Sequence, residues 1–356
     1  MAKKYNNGKP RRRRSVNPIT ELPGLFDYPE LNLFSEAEEP MREVQRIKSH
    51  VSAHADTQEL EIDKSRLSRP SSLRFISFGS GSSGNCSYIG IDMGEGKSKG
   101  VLIDAGVEPD TVYEALRDNK IDLNSISGIL ITHDHGDHVK FAYNLVRKNN
   151  WVVYTTMRTM NGILRRHSIS RRIKDAQRII YIEHEFDAGG MKITAFKTSH
   201  DGTENVGYSV NSPDGLHRFV IATDTGMITP EADVYLRRAN YIVIESNYDR
   251  DMLVNGPYPE YLKARILSER GHLDNKDAAG YIKEIHTPAL SHVFLCHLSE
   301  ENNTPEIALA AMRKALEEKG LRIGDPANPL MAADTDIALA ALPRRGVTAQ
   351  FILRHK

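Results

Sequence analysis

The sequence predicts a layered α/β protein in which helices cover the outer faces of two β-sheets. Short apolar, strand-like runs alternate with helical stretches along most of the chain. Many of the strand-like runs come in adjacent pairs, as hairpins do. One run ends in a cluster of histidine and aspartate, and three others are followed by a single histidine or aspartate, at the position where a sheet presents side chains to a cleft. A length of 356 residues allows one large domain or two small ones.

Residues 1–72 differ in composition from the rest and predict a basic, mostly disordered extension. The basic run from Lys3 to Arg14 contains no acidic residue, and a mixed-charge stretch follows it. A short helix near residues 36–50 is expected there. The tetra-arginine run 11–14 has two interpretations, a contact with nucleic-acid phosphates and a solvated tail, and the sequence does not choose between them.

The first half of the folded part, residues 73–356, begins with two strands separated by a glycine- and serine-rich loop at residues 79–85. Apolar runs of four to six residues bounded by polar or glycine residues predict the strands, and longer amphipathic stretches predict the helices. Strands are predicted at 73–78, 86–91, 100–103, 128–132, 151–154 and 178–183, and helices at 112–119, 139–148 and 157–166.

The second half repeats this alternation, which suits helices packed outside two sheets. Strands are predicted at 191–198, 206–211, 218–223, 241–245, 293–297, 337–342 and 349–353, and helices at 231–238, 259–270, 275–285 and 305–319.

Composition excludes some classes of partner. Net formal charge is zero, so bulk charge indicates neither a nucleic acid nor a membrane. No apolar run approaches the roughly 20 residues that span a bilayer, and no signal-peptide pattern is present. The two cysteines, Cys86 and Cys296, are too few for a disulfide framework and are expected to be reduced. A cytoplasmic location is therefore expected.

The segment 132–138, Thr-His-Asp-His-Gly-Asp-His, is the strongest functional signal. It follows the apolar run 129–131 and places imidazole and carboxylate groups in one small space. Such groups together suit zinc, iron or manganese. His200, Asp224 and His297 each follow an apolar run as well, and supply candidate ligands from other strand ends. One such residue alone is usually structural, but three of them beside the cluster predict a metal site.

The motif from His133 to His138 resembles the signature of the metallo-β-lactamase fold. His200, Asp224 and His297 match that family's later motifs in order, and the resemblance covers about residues 73–320. It implies a four-layer αββα catalytic domain, with two mixed sheets sandwiched by helices. Asp104 resembles the acidic residue of the first motif, which lies behind the metal ligands and would accept an imidazole N–H.

A closer resemblance is to the YycJ/WalJ group of this family, whose members are described as DNA 5′-to-3′ exonucleases. It implies the 5′ end of DNA, double-stranded by analogy, as the partner. The basic extension is not part of the group's pattern. The motifs that carry the resemblance are Ser-Gly-Ser-Ser-Gly-Asn at 80–85, Glu-Ser-Asn at 245–247, Gly-His-Leu-Asp-Asn at 271–275, His-Leu-Ser at 297–299 and Asn-Asn at 302–303.

The family resemblance implies a site with two divalent metal ions, zinc or manganese, with iron also possible. A hydroxide between the two ions would be the nucleophile. His133, His135 and His200 would hold one ion, and Asp137, His138 and His297 the other, with Asp224 bridging the two; Asp137 is also counted among the catalytic residues.

The resemblance also assigns roles around the metals. In tRNA 3′-end processing relatives a similar Glu and His pair transfers protons, so His272 is the expected general acid, oriented by Glu245; the alternative is that His272 caps or packs a helix start. The residues expected to bind phosphate or substrate are Ser82, Ser83, Gly84, Asn85, Ser299, Asn302 and Asn303. The alternatives are a tight turn that glycine permits for the first four residues, and a cap on the helix from residue 305 for the last three.

The leading interpretation is a metal-dependent phosphodiesterase that removes nucleotides from a 5′ end of DNA. Two alternatives remain open at this point. One is an RNA-processing nuclease or a small-molecule phosphodiesterase of the same fold, and the other is a non-catalytic nucleic-acid-binding protein. The absence of a long inserted arm weakens the tRNA-processing version, and the intact ligand set weakens the non-catalytic one. The sequence does not indicate an oligomeric state.

Overall fold

A computed structural model describes residues 71–94, 97–327 and 335–355. These residues belong to one compact unit, Ser65–Lys356. The predictions made for residues 1–70, including the basic run and the short helix, lie outside the described residues. The first described strand begins at Ser72, one residue before its predicted start.

The described residues form two β-sheets, each mixed in strand direction. In the first sheet the strand order is β15-β1-β2-β3-β4-β5-β6, and in the second it is β13-β14-β12-β11-β10-β9-β8-β7. The strands are β1 Ser72–Gly81, β2 Gly84–Gly94, β3 Lys97–Ile103, β4 Ile126–Leu130, β5 Val152–Thr155, β6 Gln177–Ile179, β7 Glu185–Ala188, β8 Met191–Lys197, β9 Val206–Asn211, β10 Arg218–Ala222, β11 Tyr241–Glu245, β12 His292–Cys296, β13 Ile323–Gly324, β14 Ile337–Ala341 and β15 Phe351–Arg354.

Helices cover the outer face of each sheet. The apolar sides of α1, α3 and α4 pack on the first sheet, and those of α5, α8 and α9 on the second. None of the helices among the described residues is long and apolar enough to cross a membrane. The helices are α1 Pro109–Asp118, α2 Gly136–Val139, α3 Ala142–Asn149, α4 Met157–Arg166, α5 Pro230–Leu236, α6 Arg250–Asn255, α7 Glu260–Ile266, α8 Asn275–Ile285 and α9 Pro305–Glu317.

The central core lies between the sheets. Alternation along β1 divides its side chains, so that Phe75 faces the other sheet while Ile76 packs under the helices. The Phe75 ring lies 5.1 Å from the rings of both Phe219 and Phe294, centroid to centroid. The predicted four-layer αββα architecture is confirmed by these two sheets, their shared core and the helices on both outer faces.

Some predicted boundaries were wrong for local reasons. The helix predicted at 139–148 is α3, which begins three residues later at Ala142, because the backbone N–H of Phe141 donates to the Ala105 carbonyl and leaves the helical pattern. Val139 is instead the last residue of the short α2, which was not predicted. The helix predicted at 259–270 ends at Ile266, where a turn leads into His272. The strand predicted at 178–183 is only the short β6, and β7 and α6 were not predicted.

Replacing Phe75 with alanine tests the core. Phe75 is fully buried between the sheets, so we expect Phe75→Ala to lower the free energy of unfolding by about 3–5 kcal/mol. Urea unfolding of both proteins under identical metal conditions measures the difference. Ile352→Ala, at a residue 40% exposed on β15, is the matched control and should change stability by less than about 1 kcal/mol. Equal losses in the two variants would contradict the proposed core.

Candidate metal centre

Three residues of the site lie where a strand ends and the backbone turns sharply. Asp104 follows β3, Asp224 follows β10 and His297 follows β12, with φ angles of 61°, 49° and 53°. Residues other than glycine rarely have backbone angles in this left-handed region. Each such residue lowers the stability of the fold by of order 1–3 kcal/mol. The surrounding structure must therefore hold these turns, which bring the three side chains into one buried cleft.

A first group of imidazoles contains His133, His135 and His200. One ring nitrogen from each lies within 4.8 Å of the others. The His200 Nδ1–H donates to the Gly271 carbonyl at 2.8 Å, which leaves its Nε2 for the cleft. Burial lowers the pKa of all three imidazoles, so the rings are neutral near pH 7 and have lone pairs for a metal.

A second group contains Asp137, His138 and His297. The Asp137 Oδ2 lies 3.4 Å from the His138 Nε2 and 3.7 Å from the His297 Nε2. Burial opposes the charged imidazolium forms, but the nearby carboxylates raise the pKa of both histidines well above the usual value. Burial likewise opposes ionisation of Asp137, yet His138 and His297 hold the pKa of Asp137 below its usual range. The carboxylates around this group therefore stabilise positive charge among its side chains, carried by protons on the imidazoles or by a cation.

Asp224 lies between the two groups. Its Oδ1 is 3.4 Å from the His138 Nε2 and 3.6 Å from the His297 Nδ1. Its Oδ2 is 3.7 Å from the Nε2 atoms of both His133 and His200. Burial would raise the pKa of Asp224, but His297 and His138 hold it well below its usual value, so the side chain is a carboxylate. Each oxygen therefore faces a different group of imidazoles.

The side chains fit divalent metal ions on two observations. The Nε2 atoms of His133 and His297 are buried without any hydrogen-bond partner, which is costly for a polar atom unless a ligand occupies its lone pair. The donors are imidazole nitrogens and carboxylate oxygens, the set that zinc and manganese accept. The chemistry of the donors and the two nitrogens without partners therefore fit bound divalent metal ions.

Asp104 orients the second group from behind. Its Oδ2 accepts the Nδ1–H of His138 at 2.7 Å, the imidazole contact that the resemblance implies. Its Oδ1 accepts the backbone N–H of Thr132 at 2.9 Å, and the Thr132 hydroxyl also lies within hydrogen-bond distance. These bonds fix the His138 ring and keep its Nε2 directed at Asp137 and Asp224.

Glu245 holds two histidines at once. Its Oε1 accepts from the Nδ1 of His272 at 2.7 Å and from the Nδ1 of His297 at 2.8 Å. The Glu245 side chain is fully buried, while the His272 side chain is 18% exposed at the edge of the cleft. The alternative role for His272 as a helix cap is wrong, because the Asp274 side chain accepts the first N–H groups of α8. His272 is therefore a partly accessible imidazole beside the cluster.

The predicted phosphate-binding loop is the tip of the β1–β2 hairpin. Ser82 and Ser83 are its exposed turn, and Gly84 is required there, since a Cβ would lie 2.4 Å from the Gly106 carbonyl oxygen. Asn85 instead reaches the metal centre, where its Nδ2 lies 3.0 Å from the His138 Nε2 and 3.1 Å from the Asp137 Oδ2. The loop thus combines a tight turn with one side chain in the site.

The phosphate-binding role predicted for Ser299, Asn302 and Asn303 stays a prediction, and all three side chains are buried. Asn303 donates to the Ser246 and Asn247 carbonyls and accepts from the Thr304 N–H. The Ser299 hydroxyl accepts from the Asn302 N–H, whereas the Asn302 side-chain amide has no hydrogen-bond partner among the described residues. The alternative that these side chains cap α9 is wrong, since Thr304 supplies the cap. Ser299 and Asn303 thus hold the loop that follows His297.

Sequence reasoning missed Asp201 and did not explain Asp134. The Asp201 Oδ1 lies 3.2 Å from the His135 Nε2, and its Oδ2 accepts from the Arg265 Nε at 2.6 Å. Its position directly after His200 was the available signal. Asp134 is fully buried and accepts from the Thr203 N–H at 2.9 Å, so it supports the loop instead of facing the metal centre.

A two-sheet αββα sandwich with this cluster at its strand ends defines a hydrolase of the metallo-β-lactamase type. A sequence profile described as a β-lactamase superfamily domain matches residues 99–297. The chain is 34% identical over 253 residues to the exodeoxyribonuclease YycJ of Bacillus anthracis, with 71% of this chain and 92% of that protein covered. The chain belongs to the β-lactamase superfamily, whose fold is associated with divalent metal ions.

Further comparisons agree on the family and the fold. The chain is 31% identical over 245 residues to the exodeoxyribonuclease WalJ of Streptococcus pneumoniae, with 69% of this chain and 88% of that protein covered. The metallo-β-lactamase fold protein YhfI from Bacillus subtilis superposes with a TM-score of 0.53 at 14% identity, over 78% of this chain and 99% of that one. Zn²⁺-bound PqqB from Methylobacterium extorquens gives the same TM-score, identity and coverage. At this identity the structural matches support the fold alone.

Replacing Asp104 with asparagine tests the support behind His138. Asn lacks the charge that holds the His138 Nδ1–H, so we expect Asp104→Asn to weaken divalent-metal affinity by about 10–100-fold. Metal content after dialysis against graded chelator concentrations measures it. Asp118→Asn, at a side chain 73% exposed on α1, is the matched control and should retain the wild-type affinity. Unchanged metal retention in Asp104→Asn would contradict this role.

Proposed function

We propose that this chain is a metal-dependent phosphodiesterase that removes nucleotides from the 5′ end of DNA. The observation that carries the proposal is Asp224, whose two oxygens face two separate groups of imidazoles. The substrate and direction rest on the resemblance to exodeoxyribonucleases that the chain covers over about nine tenths of their length. The cytoplasmic location expected from the sequence stays a prediction.

We assign the ligands by the two groups described above. His133, His135 and His200 would hold one divalent ion, and Asp137, His138 and His297 a second, with Asp224 shared between them. Zinc or manganese suits these donors, and iron also accepts them. When bound, such a pair of ions supplies ionised water near neutral pH and offsets negative charge on the phosphate.

His272 is the proposed proton donor to the leaving oxygen. Because its Nδ1–H donates to the buried Glu245, its Nε2 is the nitrogen left for the cleft. An imidazolium beside a carboxylate can pass its Nε2 proton to an alkoxide as the P–O bond breaks. Glu245 also holds His297, so one carboxylate would position both a ligand and the acid.

A pocket of about 340 Å³ beside the hairpin tip is the proposed site for a substrate phosphate. Ser83, Gly84, Lys140 and Arg344 contribute to its lining, so it combines a tight turn with positive charge. Two of its lining residues are close in the chain to residues of the metal centre, since Gly84 precedes Asn85 and Lys140 follows His138 by two residues. The hairpin residues were predicted to bind phosphate, whereas Lys140 and Arg344 were not.

The experiment that tests the function is digestion of end-labelled linear DNA. We expect release of nucleotides from 5′-phosphate DNA with added Mn²⁺ or Zn²⁺, and none with EDTA. Duplex DNA, single-stranded DNA, 3′-labelled DNA and RNA are compared in parallel. Cleavage of RNA alone, release from the 3′ end, or cleavage that continues in EDTA would each contradict the proposal.

His272→Asn tests the proton donor. We expect kcat to fall by about 10²–10⁴-fold because the leaving oxygen loses its acid, while metal content stays at the wild-type level. A substrate with a leaving group of low pKa, such as p-nitrophenolate, should be much less affected. His184→Asn, at an exposed histidine before β7, is the matched control. An equal loss on both substrates would show that His272 does not act as the acid.

Lys140→Gln tests the pocket. Removal of one cation should raise KM for 5′-phosphate DNA by about 3–10-fold and leave KM for 5′-hydroxyl DNA nearly unchanged, the size expected when one exposed charge–phosphate contact is lost. Lys314→Gln, at an exposed lysine on α9, is the control. The same change in KM for both DNA ends would contradict a terminal-phosphate pocket.

A further inference from the structure

We propose that the basic surface, the exposed Lys and Arg side chains between Arg147 and Arg178, binds the phosphate backbone of the substrate DNA. This inference rests on the proposed function and adds a second contact region to it. The segment 147–178 contains nine Lys and Arg residues and a single acidic residue, Asp175. The chain as a whole carries 47 basic and 47 acidic residues, so this excess is local.

The charge on this surface is accessible. All nine basic residues are exposed. Arg166 pairs with the buried Asp134 and Arg158 lies 3.7 Å from Glu204. Among the described residues, no ion pair involves Arg171, Arg172 or Arg178 within 4.0 Å. Exposed guanidinium groups without carboxylate partners are the groups that neutralise phosphates on a nucleic acid.

The basic surface contacts the ligand loop, the segment 133–138 that carries four of the proposed ligands. The Arg166 Nε lies 3.2 Å from the Asp134 Oδ2, and the His167 Nε2–H donates to the Asp134 carbonyl at 2.7 Å. Asp134 lies between His133 and His135, so the end of α4 lies directly beside the first imidazole group. A phosphate chain leaving the metal centre on the His135 side would therefore meet these arginines.

The far part of the surface is concave. Arg147, Arg172 and Arg178 line one pocket of about 650 Å³, together with Tyr143 and a single acidic residue, Asp175. Tyr181 follows this segment in the chain with 66% of its surface exposed, which offers a ring on which a base can stack. Three guanidinium groups that line one hollow with a single carboxylate among them suit a phosphate backbone. Continuity with the phosphodiester-cleaving centre favours DNA over an acidic protein or a lipid surface.

The test neutralises three arginines of the basic surface that form no ion pair within 4.0 Å among the described residues. The variant is Arg171→Gln, Arg172→Gln and Arg178→Gln together, with Arg166 left in place because it holds Asp134. The control is Arg218→Gln, Arg238→Gln and Lys314→Gln, three exposed basic residues on the second sheet and its helices. Both variants remove three charges from the full chain. Equal thermal melting curves establish that they fold.

Binding of a fluorescent 20-base-pair DNA, whose 5′-terminal linkages are non-hydrolysable methylphosphonates, is measured with the metal-loaded protein by anisotropy over a range of salt concentrations. We expect the DNA affinity of the surface variant to be at least about tenfold lower near 0.1 M salt. The plot of the logarithm of the association constant against the logarithm of the salt concentration should become less steep by about 2–3. The control should stay within about twofold of wild type. Hydrolysis of bis(p-nitrophenyl) phosphate by the metal-loaded variant should be unchanged, because the surface lies outside the metal centre.

Several results would overturn the inference. The first is that the surface variant keeps the DNA affinity and salt dependence of the wild type, and the second is that the control variant loses as much affinity. The third is that the arginines contribute to tighter binding of RNA than of DNA. The fourth is that the arginines are needed for binding to phosphatidylserine vesicles while DNA is not bound. Failure of the proposed function is separate, since it would appear as no metal-dependent hydrolysis of DNA by the wild type. DNA binding that still depends on the three arginines in that case would support the surface.

Discussion

The contact between the Asp224 carboxylate and four imidazoles is the interaction on which the site depends. His133 and His200 face one oxygen, and His138 and His297 face the other, all at 3.4–3.7 Å. A buried carboxylate is costly without compensating positive charge. Asp224 therefore requires either protonated histidines or bound cations around it. The strained turns after β3, β10 and β12 serve this requirement, because they bring Asp104, Asp224 and His297 from separate strands to one point.

The carboxylates behind the cluster make the arrangement specific. Asp104 holds the Nδ1 of His138, and Glu245 holds the Nδ1 of His297 and of His272. Each contact fixes which ring nitrogen is left for the cleft. Glu245 therefore couples two functions physically, since a shift of its Oε1 would move a proposed ligand and the proposed acid together. That coupling places His272 beside the metal centre, where one of its ring nitrogens lies within 4.8 Å of potential ligand atoms of Asp224 and His297.

The parts of the site that follow local rules could be predicted from the sequence, and the parts that depend on distant pairing could not. The residues from His133 to His138 are adjacent in the chain, and Asp224 and His297 are recognisable because each directly follows a buried strand. The pairing of Glu245 with His272 needed a family resemblance, because 27 residues separate them. The Asp201–Arg265 contact spans 64 residues, and nothing in the local pattern indicated it.

Distant contacts also determine details that the local pattern does not show. Asn303 looks like a phosphate donor in the sequence, and carbonyls from the loop after β11 accept from its amide. The helix predicted at 139–148 has a sound helical pattern, but it begins only at Ala142, because Ala105 accepts the Phe141 N–H. In both cases a backbone hydrogen bond from another strand end was satisfied at the expense of the local preference. The order of the predicted strands and helices is correct despite such contacts, because the hydrophobic pattern of a whole element determines its type.

The ligand loop also has basic groups at both of its ends. Arg166 contacts Asp134 near its start, and Lys140 follows His138 at its close. Between them, His135 is the most exposed of the proposed histidine ligands, with 19% of its side chain accessible. A negatively charged chain that contacts both ends of the loop must cross this accessible edge of the first imidazole group. The loop that supplies most of the ligands would thereby also set the direction in which a polyanion approaches them.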